Sequence, residues 1–216
     1  PNEVVSQDCS NAKWVSISKI TGDEVGKIAW SEQQAVITIC DLIPDESALF
    51  IGSSRPIRDV EAFAKPRSGI EVFANRRLAG IDGNISTALG IATAHKSTFA
   101  VLGDLAFLHD LTGLIHREEI NLRIFVINND GGGIFSTLPQ RGSIGFEQVF
   151  GTPHGLDPAA IASSMGIGAT SITSVEQLRE EIKKPVSGIS VVVCQVPSRD
   201  SNADLIKSLY AKMDSI

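Results

Sequence analysis

Short apolar runs alternate with amphipathic stretches along most of this chain. The segment "SEQQAVITICDLI" at 31–43 predicts a helix opened by Ser31 as N-cap, and "SALFIG" at 47–52 predicts a buried strand closed by glycine. The alternation continues through "IRDVEAFA" and "GIEVFA", a helix over 83–96, a strand over 97–103, a helix over 106–118 and a strand over 122–128. Helices over 157–166 and 174–182, a strand over 188–196 and a closing helix over 200–213 follow. The strands are near-continuous apolar runs, so both of their faces must be covered. This pattern predicts an α/β fold, a three-layer, doubly wound, mainly parallel sheet with helices on both faces. Residues 1–29 mix polar and apolar positions without a clear period. They read as a linker or the tail of a preceding domain, which leaves residues 30–216 as one domain.

Composition narrows the function. With 216 residues, 43% of them hydrophobic, the chain can bury a substantial core. A net charge of −6 argues against a nucleic-acid binder, which needs a basic face to neutralise phosphates, and makes small molecules the expected partners. Cys9, Cys40 and Cys194 are odd in number and widely spaced, so neither a disulfide framework nor a zinc site is indicated. Cys40 and Cys194 lie in apolar runs and read as core thiols, which fits a reducing, cytoplasmic setting. No apolar stretch reaches the length of a spanning helix. The start at Pro1 instead of a methionine is consistent with a fragment or a processed product.

Candidate chemistry sits at two strand ends. "FAVLGDLAFLHD" (99–110) and "VINNDGGGIF" (126–135) each carry polar and glycine residues just past an apolar run. In open parallel sheets, ligands collect outside the carboxyl ends of the strands. The segment from Leu105 to Leu122 is long enough for a helical crossover, so the two strands are expected to be neighbours with one shared crevice. Asp104, Asn129 and the carbonyl of Gly131 form an all-oxygen set of low charge, which suits Mg²⁺ and, with it, a phosphorylated cofactor. Two other readings stand beside this one. Asn, Asp and Gly also serve as ordinary turn residues. Gly131, Gly133 and Ser136 fall in a G-x-G-x-x-S pattern that departs from the dinucleotide fingerprint at its third position.

"GDL" at 103–105 followed by "NNDGG" at 128–132 resembles the metal and diphosphate motif of thiamine-diphosphate enzymes, usually written GDG then NN. Leu105 replaces the third glycine. That departure, with "GSSRPIRDV" (52–60), "NRRLAGIDGNISTALG" (75–90) and "NNDGGGIFSTLP" (128–139), is similar to the C-terminal domain of the SEPHCHC synthase family, the MenD-type enzymes of menaquinone biosynthesis. The resemblance implies that Asp104, Asn129 and the Gly131 carbonyl hold Mg²⁺, which grips the diphosphate of thiamine diphosphate. It implies further N–H donors around Leu105 and Ala106, and cofactor contacts from Ser54 and from Gly80, Ile81, Asp82 and Gly83. Ile81 would be the bulky residue under the bent cofactor, and Ile134, Phe135 and Leu138 an apolar wall near the reacting carbons. The implied reaction decarboxylates 2-oxoglutarate and adds the resulting succinyl carbanion equivalent to isochorismate. The family's activating glutamate comes from an N-terminal pyrimidine-binding domain of a partner subunit, and nothing in this sequence matches that domain. A homo-oligomer is therefore implied for the complete form. Another thiamine-diphosphate 2-oxo acid decarboxylase or an acetolactate-synthase-like enzyme, or a non-catalytic cofactor-binding module, stays open as an alternative.

Five arginines, Arg55, Arg58, Arg67, Arg76 and Arg77, fall between positions 55 and 77 of this acidic chain. Arg67 reads as part of a solvated face. Arg58 and Arg76 match arginines that the family uses on substrate carboxylates, a role suited to the planar guanidinium fork. Arg55 and Arg77 have no assigned role, and where Arg77 stands other members can carry glycine. His95, His109, His116 and His154 show no metal-ligand spacing, and His109 is the one expected near the site.

Overall fold

The computed structural model describes residues 12–115 and 119–214. Among these residues, eight α-helices and six strands follow one another as α1 (Ala12–Val25), α2 (Glu32–Leu42), β1 (Ser47–Ile51), α3 (Arg55–Phe63), β2 (Ile70–Phe73), α4 (Asn84–Ala92), β3 (Thr98–Gly103), α5 (Asp104–His109), β4 (Leu122–Asn128), α6 (Pro158–Ser164), β5 (Gly168–Ile172), α7 (Val175–Lys183), β6 (Ile189–Gln195) and α8 (Arg199–Asp214). The strands form one sheet in the order β2-β1-β3-β4-β6-β5, with every pairing parallel. Two buried clusters show why the strands read as continuous apolar runs. Phe50, Ala100, Leu102, Ile124, Val126, Val191 and Val193 pack with Ile85 and Ala88 of α4 and Ala162 of α6. The alternate residues Leu49, Ile51, Phe99, Val101, Phe125, Ile127 and Cys194 pack with Val36 and Ile39 of α2 and Leu178 of α7. Each strand thus feeds both faces, and the three-layer α/β expectation holds.

Local signals placed several helix ends. Ser31 Oγ accepts from Gln34 N at 3.2 Å, Ser174 Oγ accepts from Gln177 N at 3.3 Å, and Asp157 caps α6 through Ala159 N at 2.9 Å. Two arginines close helix C-termini, where carbonyls lack partners. Arg67 Nη1 donates to Cys40 O at 3.0 Å and Ile43 O at 2.9 Å at the end of α2. Arg123, buried on β4, donates to Glu181 O at 2.7 Å and Lys184 O at 2.9 Å at the end of α7. The solvated role expected for Arg67 is therefore wrong: its charge neutralises a helix end.

Three elements depart from the sequence reading. Helix α1 lies within the stretch that showed no period, and two of its apolar residues face solvent, Val15 being 64% and Ile20 42% exposed. The helix expected over 106–118 stops at His109 and resumes as a 3₁₀ turn over Leu111–Leu114. Asp110 is diverted to accept Ser86 N at 2.9 Å, and Gly113 approaches Ile85 so closely that a Cβ would sit 3.0 Å from its Cγ2. Strand β5 was not foreseen, because it is a largely exposed edge strand with no apolar run. Residues 116–118, with His116, and Cys9 lie outside the described residues. Cys40 and Cys194 are free, buried thiols, and burial pushes Cys40 up to about 12.

Candidate functional site

The chain runs from β1 to its outer neighbour β2, then returns through β3 and moves to the opposite side of the sheet through β4. The carboxyl ends of β1 and β3 therefore flank a topological switch point, where crevices open in such sheets. Gly103 pairs with Ile127 in the β3–β4 register, which sets Asp104 beside the Asn128-Asn129 turn. A pocket at these ends is lined by Ser54 from the β1 end, Gly80 and Ile81, Asp104, Leu105 and Ala106, Asn129 and Gly131, and Ile134 and Phe135.

Asp104 organises this crevice. Its Oδ1 accepts from Leu105 N at 2.7 Å, and its Oδ2 accepts from Gly131 N at 2.9 Å, Asn129 N at 3.2 Å and His154 Nε2 at 3.3 Å. Burial raises its pKa, and the hydrogen bonds from Gly131, Leu105 and His154 act in the opposite direction. Leu156 N donates to His154 Nδ1 at 3.0 Å, which leaves Nε2 as the ring nitrogen that donates to Asp104. Asp130 accepts from His154 N at 3.0 Å and Gly155 N at 2.7 Å, so the loop carrying His154 is tied to the glycine turn.

The two adjacent asparagines divide the work. Asn128 donates to Gln195 Oε1 at 2.8 Å and accepts from Asp130 N at 3.2 Å, so it shapes the turn. Asn129 Nδ2 donates to Glu32 Oε1 at 2.6 Å, while its Oδ1 is buried without a hydrogen-bond partner. A buried amide oxygen with no partner costs free energy, and an ion or a water is one way to satisfy it. Among the described residues, no group of three or more His, Cys, Asp or Glu side chains could hold a metal ion. An ion here would have to use amide and carbonyl oxygens beside one carboxylate, and the Asp104 and Asn129 oxygens fit a hard cation.

The glycines answer a steric need. Gly131 has φ 132°, and a Cβ on it would lie 2.2 Å from Gly151 O in the single π-helical turn Glu147–Gly151. Ser54 at φ 71° and Asp130 at φ 65° are non-glycine residues in the left-handed region at the same crevice, a strain of order 1–3 kcal/mol each. Phe135 is held by Phe150, with ring centroids 5.3 Å apart.

The remaining expected residues fall elsewhere. Gly83 caps α4 in the left-handed conformation, and Asp82 beside it is exposed. Leu138 lines a neighbouring depression with Arg55 and Tyr210. Arg58 is exposed and donates to Ser54 O at 2.7 Å, and Arg76 is exposed outside the pocket lining. Arg77 has φ 68°, a conformation that favours glycine. His109 is exposed and absent from the pocket lining; among the described histidines, His154 reaches the site.

Sequence reading also missed Glu32 and the role of Arg55. Glu32 is buried at the first turn of α2, and burial, reinforced by Asp59, pushes its carboxyl up to about 7. Arg55 pairs with Asp59 and places Nε 3.9 Å from Glu32 Oε2. The only sequence signal for Glu32 was its place after an N-cap, where a glutamate is ordinary.

The chain belongs to the family of C-terminal TPP-binding domains of thiamine pyrophosphate enzymes, whose family match covers residues 59–196. Within that class it is similar to curated proteins named 2-succinyl-5-enolpyruvyl-6-hydroxy-3-cyclohexene-1-carboxylate synthase. The Thermobifida fusca protein is 49% identical over 60% of this chain and 25% of its own length. The Bacillus cytotoxicus protein is 39% identical over 93% of this chain and 36% of its own length, and the Lysinibacillus sphaericus protein 34% over 94% and 38%. The chain thus spans between 25% and 38% of the length of these relatives. A solved structure assigned as a thiamin diphosphate-dependent enzyme from Mycobacterium smegmatis shares the fold, with a TM-score of 0.62 at 19% identity over 79% of this chain and 32% of that one. No helix among the described residues is long and apolar enough to cross a membrane.

Proposed function

We propose that this chain is the cofactor-binding part of a thiamine-diphosphate- and Mg²⁺-dependent synthase that decarboxylates 2-oxoglutarate and adds the succinyl unit to isochorismate, a reading supported by the family match and by the synthase name its relatives carry. The observation that carries the cofactor reading is the unpaired Asn129 Oδ1, buried beside the Asp104 carboxylate at the switch point. Asp104, Asn129 Oδ1 and the Gly131 carbonyl would hold Mg²⁺. Thiamine diphosphate supplies, when bound, the nucleophilic carbon and the electron sink that the decarboxylation needs. Ile81, Ile134 and Phe135 present apolar surface to the pocket and exclude water from it. Gly80 and Ser54 bring backbone to the same wall, and Leu138 extends the apolar surface beyond it. Arg58 and Arg76 offer exposed guanidinium groups to substrate carboxylates.

In this reading residues 30–216 form the diphosphate-binding domain and residues 1–29 lead in from a preceding one. The activating carboxylate would come from the N-terminal pyrimidine-binding domain of a partner subunit in a cytoplasmic homo-oligomer.

Calorimetry tests the cofactor reading. Thiamine diphosphate should bind with excess Mg²⁺ and not with EDTA, and Asp104→Ala should remove most of that binding, because Asp104 is the one anionic ligand in the set. Equal affinity in Mg²⁺ and EDTA would remove the metal from the site.

A further inference from the structure

Asn129 can present either end of its amide to the crevice, and only the oxygen is useful to a cation. Glu32 decides which. In its ionised form Glu32 is an acceptor without a donor, so the end of the amide that faces it is then the NH₂ group. The 2.6 Å bond from Asn129 Nδ2 to Glu32 Oε1 leaves Oδ1 turned away, buried and unpaired. We infer that Glu32 is a positioning residue, which fixes the Asn129 amide so that its oxygen is ready for the cation; this rests on the cation reading given above.

Glu32 is built in for such a task. It opens α2 directly after the Ser31 cap, and its backbone N–H donates to Asn202 Oδ1 at 3.0 Å. Asn202 is itself fixed by donating to Pro197 O at 2.7 Å and Ser198 O at 3.1 Å. Arg55 Nε lies 3.9 Å from the second carboxylate oxygen. Asn129 is fixed at its other end, where its backbone N–H donates to Asp104 Oδ2 at 3.2 Å. The space around the bond is reserved as well, since a Cβ on Gly133 would sit 2.3 Å from Asn129 Nδ2 and 3.2 Å from Glu32 Oε1. An outer residue that orients a ligand in this way typically contributes a factor of about 10–100 in metal affinity.

The test uses the intact polypeptide with thiamine diphosphate and reads Mn²⁺ affinity by electron paramagnetic resonance, beside the melting temperature without metal or cofactor. Glu32→Asp keeps the charge but draws the acceptor back by one methylene, and Glu32→Leu removes the acceptor. Both should weaken Mn²⁺ binding about tenfold or more, while the metal-free melting temperature of Glu32→Asp stays within about 4 °C of wild type. Wild-type affinity in Glu32→Asp would overturn the inference, because charge alone would then suffice. A loss of affinity matched by a large fall in metal-free melting temperature would also overturn it, since the role would be structural. Should Glu32→Leu fail to fold, the aspartate variant decides. If the wild-type polypeptide takes up no Mn²⁺, the cation reading itself fails, and this inference falls with it.

Discussion

His154 Nε2 faces Asp104 Oδ2 at 3.3 Å, joining a loop beyond the π-helical turn to the first residue of α5. The ring donates from Nε2 because Nδ1 already accepts from Leu156 N at 3.0 Å. His154 thus steadies both the carboxylate and its own loop. A hydrogen bond to a charged group contributes roughly 1.5–3 kcal/mol, so His154→Ala should weaken Mg²⁺-dependent thiamine diphosphate binding about ten- to a hundredfold. Titration calorimetry at saturating Mg²⁺ measures this, and unchanged affinity would remove His154 from the site.

Two glycine substitutions should move stability in opposite directions. In Gly131→Ala the new methyl meets Gly151 O at 2.2 Å from a φ of 132°, so a loss of more than about 2 kcal/mol is expected. Gly90 lies within α4, where a Cβ would meet nothing within 4 Å, and Gly90→Ala should stabilise by about 0.5–1 kcal/mol. Urea unfolding of both variants checks the contrast. Equal effects would mean that the turn at Gly131 relaxes.

The sheet was legible because a buried strand such as β4, with seven consecutive buried residues, is a run too short for a helix and rich in β-branched and aromatic residues. Edge strand β5 and helix α1 were not, since neither shows an apolar run or a single apolar face. At the site, Asp104 and Asn129 could be read from strand ends, as backbone position alone brings them together. Glu32 and His154 could not. Glu32 reaches Asn129 across 97 residues and His154 reaches Asp104 across 50, through packing of α2 and a long loop that no local spacing encodes. Arg67 was misread for the same reason, because its carbonyl partners lie 27 and 24 residues earlier.

Asp59 gives a pH test that is independent of the cation. Burial pushes its carboxyl up to about 6 from an ordinary 3.8, with Arg55 and Gln33 acting in the opposite direction. The folded state therefore holds this proton more tightly than the unfolded state between about pH 4 and 6. The contribution of Asp59 to stability is highest below that window, falls as pH rises through it and is flat above. Asp59→Asn has no proton to lose, so its stability relative to wild type should rise across the window by up to about 3 kcal/mol. Denaturant unfolding of the cofactor-free protein at pH 4, 5, 6 and 7.5 reads the difference. A constant offset would show that Asp59 titrates alike in both states.

Arg58 and Arg76 should separate substrate use from cofactor binding. Neither lines the pocket that holds Asp104 and Asn129, and both are exposed, so their guanidinium groups stand free of the proposed diphosphate contacts. Arg58 is anchored by its bond to Ser54 O at 2.7 Å, which aligns it with the strained turn after β1 while leaving its other nitrogens for a ligand. In the enzyme proposed above, Arg58→Ala and Arg76→Ala should each lower kcat/KM for the carboxylated substrates about ten- to a hundredfold, the effect of losing one charge-assisted fork. Thiamine diphosphate affinity should stay within about threefold of wild type, because none of the proposed cofactor contacts is removed. Steady-state kinetics with 2-oxoglutarate and isochorismate, set beside calorimetry of cofactor binding, separates the two quantities. If both variants lose the cofactor instead, these arginines bind diphosphate, and the carboxylates must be met by other cations.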